Sequence, residues 1–201
     1  MDLFYSGLTV QQQLKKLKKD IKVRLGADFK YKRGNTSKFL LMQGNMESFN
    51  NCIMILLPHV TTRGFMNSSG EKYLQKIIEQ YGFKNYIISY CYLDRAKSVT
   101  RPMIKENIKD VETLISIVGP SMIVMAGVDG CDVFLTRKPL VEDKHGTVVG
   151  EHCGAELILT HHPSYFVTDS GYEDKRYKEH IQKQDWDLIK SKYDKLIVEE
   201  Q

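Results

Sequence analysis

Four apolar runs recur along the chain, at 52–58 (CIMILLP), 85–93 (NYIISYCYL), 121–127 (SMIVMAG) and 155–163 (AELILTHHP), with amphipathic stretches between them. A strand that is apolar on successive residues must be buried on both faces, which happens in parallel sheets covered by helices. Alternation of such runs with helical periodicity predicts an α/β domain with a mostly parallel sheet. The helices follow from spacing and stop signals. Leu8, Leu14, Leu17, Ile21 and Leu25 share one face of a helix over 8–25, with Thr9 as N-cap and Gly26 as stop. A second helix covers 70–81 before Gly82, and a third covers 103–118, opened by Arg101-Pro102 and closed by Gly119-Pro120. Residues 128–135 read as a short helix, 28–43 as two extended pieces around a turn, and 136–154 as a polar hairpin or loop. Trp186, Ile189, Tyr193 and Ile197 mark a closing amphipathic helix.

With 201 residues, 42% hydrophobic and 27% charged, the chain suits one folded domain with a full core and excludes intrinsic disorder. It divides into a basic N-terminal part (1–45), a core (50–170) and a helical tail (171–201). No apolar run approaches the roughly 18–20 residues of a membrane span, and the opening MDLFYSGLTV lacks signal-peptide features. The expectation is a soluble, cytoplasmic monomer. The four cysteines (Cys52, Cys91, Cys131, Cys153) form no CxxC pair, so they read as reduced thiols without a metal or other cofactor.

The net charge of +4 averages over two unlike parts. Residues 1–40 carry ten Lys/Arg against three Asp, a surplus of +7, leaving 19 basic against 22 acidic residues, or −3, for the remainder. A basic end on a mildly acidic body suits an anionic partner, nucleic acid ahead of membrane, although a solvated helix face would look the same. Absence of G-x-G-x-x-G and G-x-x-x-x-G-K-[ST] argues against dinucleotide and P-loop binding.

In parallel sheets ligands bind beyond the carboxyl ends of the strands. The segments there are Pro58-His59-Val60-Thr61-Thr62, Cys91 to Arg101, Gly127-Val128-Asp129-Gly130 and His161-His162-Pro163-Ser164. Taken together with Gly64-Phe65 and a Ser69-Gly70-x-x-x-Leu74 helix start, the first of these resembles the opening motif of the uracil-DNA glycosylase superfamily. Gly119-Pro120 followed by SMIVMAGVDGCDVFL is similar to the middle of its iron–sulfur branch, and HGTVVGEHCGAELILTHHPSYFV to its closing His-Pro-Ser segment. The resemblance covers about residues 50–170 in the correct order.

That resemblance implies a three-layer α/β/α sandwich around a mostly parallel four-stranded sheet, and a monofunctional DNA glycosylase that flips out a base and hydrolyses its glycosidic bond. It implies that Phe65 stacks on the base and that His162 donates to the departing base. Pro58 and Asn67 would complete the base pocket. Ser164 and Ser69 would grip phosphates, with Arg63, Arg95 and Arg101 along the backbone, and Tyr165 and Phe166 would wedge into the vacated stack. Each has a plainer reading: a core aromatic for Phe65, a loop histidine bonded to a carbonyl for His162, and burial against the tail helix for Tyr165 and Phe166. His161 is equally open to structural, metal-binding or catalytic use.

Three departures from the family pattern shape the expectation. Ile55, Leu56 and Leu57 precede Pro58, so the usual catalytic carboxylate is absent. His59 is the nearest polar substitute, as base, water-positioner or phosphate contact. Cys91 stands at a cluster-ligand position without its partners, leaving a thiol beside the pocket. The base-reading Asn at the end of the second strand is replaced, with Ser89, Tyr90 or Cys91 nearest that place. Loss of that amide points away from strict uracil readout and toward a modified pyrimidine, hydroxymethylated or glucosylated, as removed by superfamily members in phage defence. The alternatives are a catalytically inactive DNA-binding relative and an unrelated nucleic-acid-binding α/β module.

Overall fold

The computed structural model describes residues 7–24, 44, 52–61, 68–96, 100–127, 134–135, 140–168 and 174–198. The chain is an α/β fold with a mixed five-stranded sheet flanked by helices. The elements are α1 (Val10–Arg24), β1 (Ile53–Thr61), α2 (Ser69–Tyr81), β2 (Tyr86–Ala96), α3 (Arg101–Val118), β3 (Met122–Ala126), α4 (Val141–Lys144), β4 (Thr147–His152), β5 (Ala155–Thr160), α5 (Pro163–Val167) and α6 (Lys175–Val198). The sheet order is β2-β1-β3-β5-β4. The first four in that order run parallel, and β4 pairs antiparallel with β5.

The four apolar runs form the parallel strands, and Ile53–Leu57, Met122–Ala126 and Leu157–Leu159 are all buried. The expected four-stranded sheet is corrected to five strands by β4. This edge strand is exposed or half-exposed throughout, so it carries no apolar run to betray it. It joins β5 through a two-residue turn, Cys153-Gly154, with φ of +51° and +82°. Two central residues at positive φ match the twist of a tight hairpin.

Helix ends follow local chemistry. Thr9 caps α1, its Oγ1 accepting from Gln12 N while Gln12 Oε1 accepts from Thr9 N. Ser68 and Glu71 form the same reciprocal box at the start of α2, and Gly82 and Gly119 close α2 and α3 in the left-handed conformation. β2 and β3 lie on opposite sides of β1, and the right-handed rule for parallel crossovers then assigns α2 and α3 to opposite faces. On one face α1 packs along α3, burying Leu17 and Ile21. On the other, Trp186 and Tyr193 of α6 pack with Phe83 at the end of α2. The Tyr193 hydroxyl accepts from the backbone N–H of Lys84 (3.2 Å) and of Asn85 (2.9 Å), fastening the α2–β2 connection. The readings for 28–43 and 128–133 lie outside the described residues. Among the described residues no helix is long and apolar enough to cross a membrane.

Candidate active site

Chain direction across the sheet reverses between β1 and β3, the position where open α/β sheets place their ligands. The strand ends there differ from the expected turn at Pro58. Among the described residues β1 pairs with β3 as far as Leu56↔Met125, then runs on to Thr61 paired with β2 alone. Pro58 therefore does not end the strand. It has no N–H to give a ladder, and it lies past the end of β3 pairing, where one side of β1 needs no donor. The outer part of β1 and β2 forms a two-stranded ribbon, with a register shift between His59 and Val60 and Thr61 paired to Ala96. His59 sits half-buried on it.

β2 likewise continues to Ala96, so Ser89 and Cys91 are mid-strand and fully buried. Where the sequence reading set them at the strand end beside a pocket, the fold holds both within the strand with their side chains covered. Tyr90 projects to the α2 face, where its hydroxyl donates to Glu71 Oε1 at 2.5 Å. Glu71 Oε2 accepts from Ser68 N at 2.8 Å. The buried Glu71 carboxylate is a feature that sequence reasoning missed. Its partners make it a structural brace holding the α2 N-terminus to β2, and the only sequence signal for it is the Ser-x-x-Glu spacing of the capping box.

The His-Pro-Ser segment follows β5 and opens the one-turn helix α5, with His162 as its N-cap and Pro163 in the first turn. Pro is suited there because its missing N–H would have had no partner in any case. The Ser164 backbone N–H donates to His162 Nδ1 at 3.1 Å, and Ser164 Oγ lies 2.6 Å from the same nitrogen. A nitrogen that accepts from an amide carries no proton, so the neutral His162 ring holds its proton on Nε2. Gly127, just beyond β3, lies against this ring. A Cβ there would stand 3.3 Å from His162 Cβ, and its φ of +97° also calls for glycine.

Gly70 in the first turn of α2 makes the second close approach. A Cβ on Gly70 would fall 2.7 Å from Ser164 N and 3.2 Å from Pro163 C. The starts of α2 and α5 are thus packed backbone to backbone. This brings the exposed Ser69 close to Ser164, while His162 meets the end of β3. His161, in contrast, turns toward Asp185 of α6, its Nδ1 3.7 Å from Oδ2.

Tyr165 and Phe166 are half-buried. The Tyr165 ring stacks on His161 at 4.6 Å between centroids, with Lys178 Nζ 4.9 Å from its centroid. Phe166 stacks on Tyr73 of α2 at 5.9 Å. Both rings are engaged within the protein, Tyr165 with Lys178 of the tail helix and Phe166 with Tyr73 of α2 rather than the tail, and wedging would require them to leave these contacts. Arg101 is the first residue of α3, while Arg95 belongs to β2 rather than a loop. Arg63, Phe65 and Asn67 lie outside the described residues. On α1, Lys15 and Lys19 are exposed while Leu17 and Ile21 face α3, so part of the basic surplus is displayed on a docked helix.

No family model matches this chain, and no curated protein is a significant match.

Proposed function

We propose that this chain is a DNA glycosylase of the uracil-DNA glycosylase kind, acting on a modified pyrimidine. The observation that carries the reading is the hydrogen bond from the Ser164 backbone N–H to His162 Nδ1. With Nδ1 taken by the Ser164 amide, the ring offers Nε2 as its donor, on the turn after β5 that packs against Gly127 at the end of β3. A neutral imidazole donor fixed in this way suits a reaction that places negative charge on a departing base. The fold class, the order of the motifs and the close packing of Gly70 and Gly127 against the His-Pro-Ser turn are compatible with the same reading.

In this proposal Phe65 stacks on the extruded base, the C1′–N bond breaks with its electron pair leaving on the base, and the His162 Nε2–H hydrogen-bonds that anion; water adds to C1′, and the proton it loses passes to His59 and through solvent to the free base. His59 on the ribbon is the group closest to the role of the absent carboxylate. Lys15 and Lys19 of α1, with other basic residues of the N-terminal part, contact the phosphate backbone, so binding weakens steeply with salt. Ser89 and Cys91 stand where the base-reading amide of the uracil enzymes would fall, and neither offers that amide, which favours a pocket that differs from a uracil-specific one. The same loss supports the second reading, a DNA-binding relative without turnover.

The test is incubation with single- and double-stranded DNA carrying uracil, hydroxymethyluracil, hydroxymethylcytosine or a glucosylated base, followed by alkali. Strand breaks at the modified position in wild type, reduced about 10²–10³-fold in His162→Ala, support the glycosylase. Tight binding without breaks on any substrate supports the binder.

A further inference from the structure

A second cluster lies behind the His162 turn, and it owes nothing to the glycosylase reading. Asp185 of α6 is fully buried, and three side chains converge on its carboxylate. His145, which follows α4, places Nδ1 2.7 Å from Oδ1. Thr160 at the end of β5 donates its hydroxyl to Oδ2 at 2.7 Å. His161 places Nδ1 3.7 Å from Oδ2, beyond hydrogen-bonding range. His161 is only 8% exposed, and its Nδ1 is sealed from solvent with no hydrogen-bond partner among the described residues. A buried polar nitrogen left in that state costs free energy, so a partner is expected there. The backbone has been shaped to admit this cluster: a Cβ on Gly146 would stand 2.6 Å from Asp185 Oδ1.

We propose that His145, His161 and Asp185 bind a divalent transition-metal ion, with zinc the best match. Their donor atoms all lie within 4.8 Å of one another. Two imidazoles and one carboxylate suit zinc and its neighbours and are poor ligands for calcium or magnesium, which take oxygen. Tetrahedral zinc, with bonds of about 2.0–2.2 Å, holds its ligand atoms about 3.3–3.5 Å apart. His145 Nδ1 and Asp185 Oδ1, 2.7 Å apart, therefore open slightly as the ion replaces the proton shared between them, and His161, whose donor atom lies within 4.8 Å of theirs, moves in to complete the set. Water takes the fourth position. Thr160 remains on the second carboxylate oxygen and fixes its orientation, the usual task of a group behind a metal ligand.

The ion ties together three segments spread over 40 positions of sequence: the start of the β4 hairpin, the end of β5 and the middle of α6. Because His161 directly precedes His162, the site anchors the turn that carries His162. Its role is to stiffen that turn.

The experiment is to strip the purified protein with a chelator and titrate it with Zn²⁺ by calorimetry and with Co²⁺ by visible absorption. The expected result is one ion per chain, a raised Tm and the intense d–d bands of four-coordinate Co²⁺. His161→Gln and His145→Gln are each expected to weaken binding by more than about 100-fold, since even groups behind the ligands are worth about 10–100-fold. Their Tm in chelator is expected to stay close to that of stripped wild type. Absence of stoichiometric binding by wild type overturns the proposal, as does undiminished binding in either variant. Both readouts are independent of glycosylase activity, so failure of one proposal leaves the other standing.

Discussion

Replacing Gly70 by alanine sets two known effects against each other. On helix propensity alone the change should stabilise, by at most about 1 kcal/mol and less in a first turn. The added methyl, however, would stand 2.7 Å from Ser164 N and 3.1 Å from Ser164 Cα, both backbone atoms that no rotamer change can move. Overpacking of this kind costs about 1–3 kcal/mol. The clash wins, and the net destabilisation is about 1–2 kcal/mol. For a domain of this size that lowers Tm by about 2–8 °C. Thermal unfolding followed by circular dichroism, with the exposed Lys72→Ala on the same helix as control, measures it. Gly70→Ala at or above wild-type stability would refute the reasoning, because it would mean that α2 and α5 are not packed backbone to backbone.

Further outcomes follow from single contacts. Tyr193→Phe removes the acceptor for two backbone N–H groups and should cost about 1–3 kcal/mol in urea unfolding, without change in the m-value. Burial pushes the Cys52 thiol up to about 11, so at pH 8 a thiol reagent should label the exposed Cys153 quickly, and Cys52 and the buried Cys91 only after unfolding, as peptide mapping will show. Burial, and then the hydrogen bond to Asp187, pushes the Tyr81 phenol up to about 12. A proton held more tightly in the folded state gives stability that is complete below about pH 10 and is lost as pH rises through about 12; Asp187→Asn should bring the phenol down in an ultraviolet titration. The neutral His162 ring should show its Nδ1 as the unprotonated nitrogen in ¹⁵N spectra, and a protonated Nδ1 would remove the Ser164 hydrogen bond from the account.

The parallel strands and the long helices were legible because burial on both faces and helical periodicity leave continuous patterns in sequence. Thr9, Gly82 and Gly119 announced helix ends through capping chemistry alone. β4 is legible only as one arm of a hairpin-or-loop segment, since an edge strand from Thr147 to His152 with no buried residue has no pattern that sets it apart from a loop. Pro58 normally stops a strand, but here it falls where β1, among the described residues, pairs on the β2 side alone. That one displacement moved Pro58 and His59 from a turn onto a ribbon, and the matching extension of β2 moved Cys91 into the core. The His162 turn was visible through the rule that ligands gather at strand ends. The Asp185 cluster was not, because its members come from three separate segments and meet only through tertiary packing.

Under the proposed function His162, held by Ser164 on the turn after β5, assists departure of a base from DNA. Mass spectrometry of a single-turnover reaction on DNA carrying the modified pyrimidines tests it most directly. The account predicts a free base and an equal amount of abasic DNA from wild type, with the rate falling about 10²–10³-fold in His162→Ala. Intact DNA recovered from every substrate, or a release rate indifferent to His162, would contradict it.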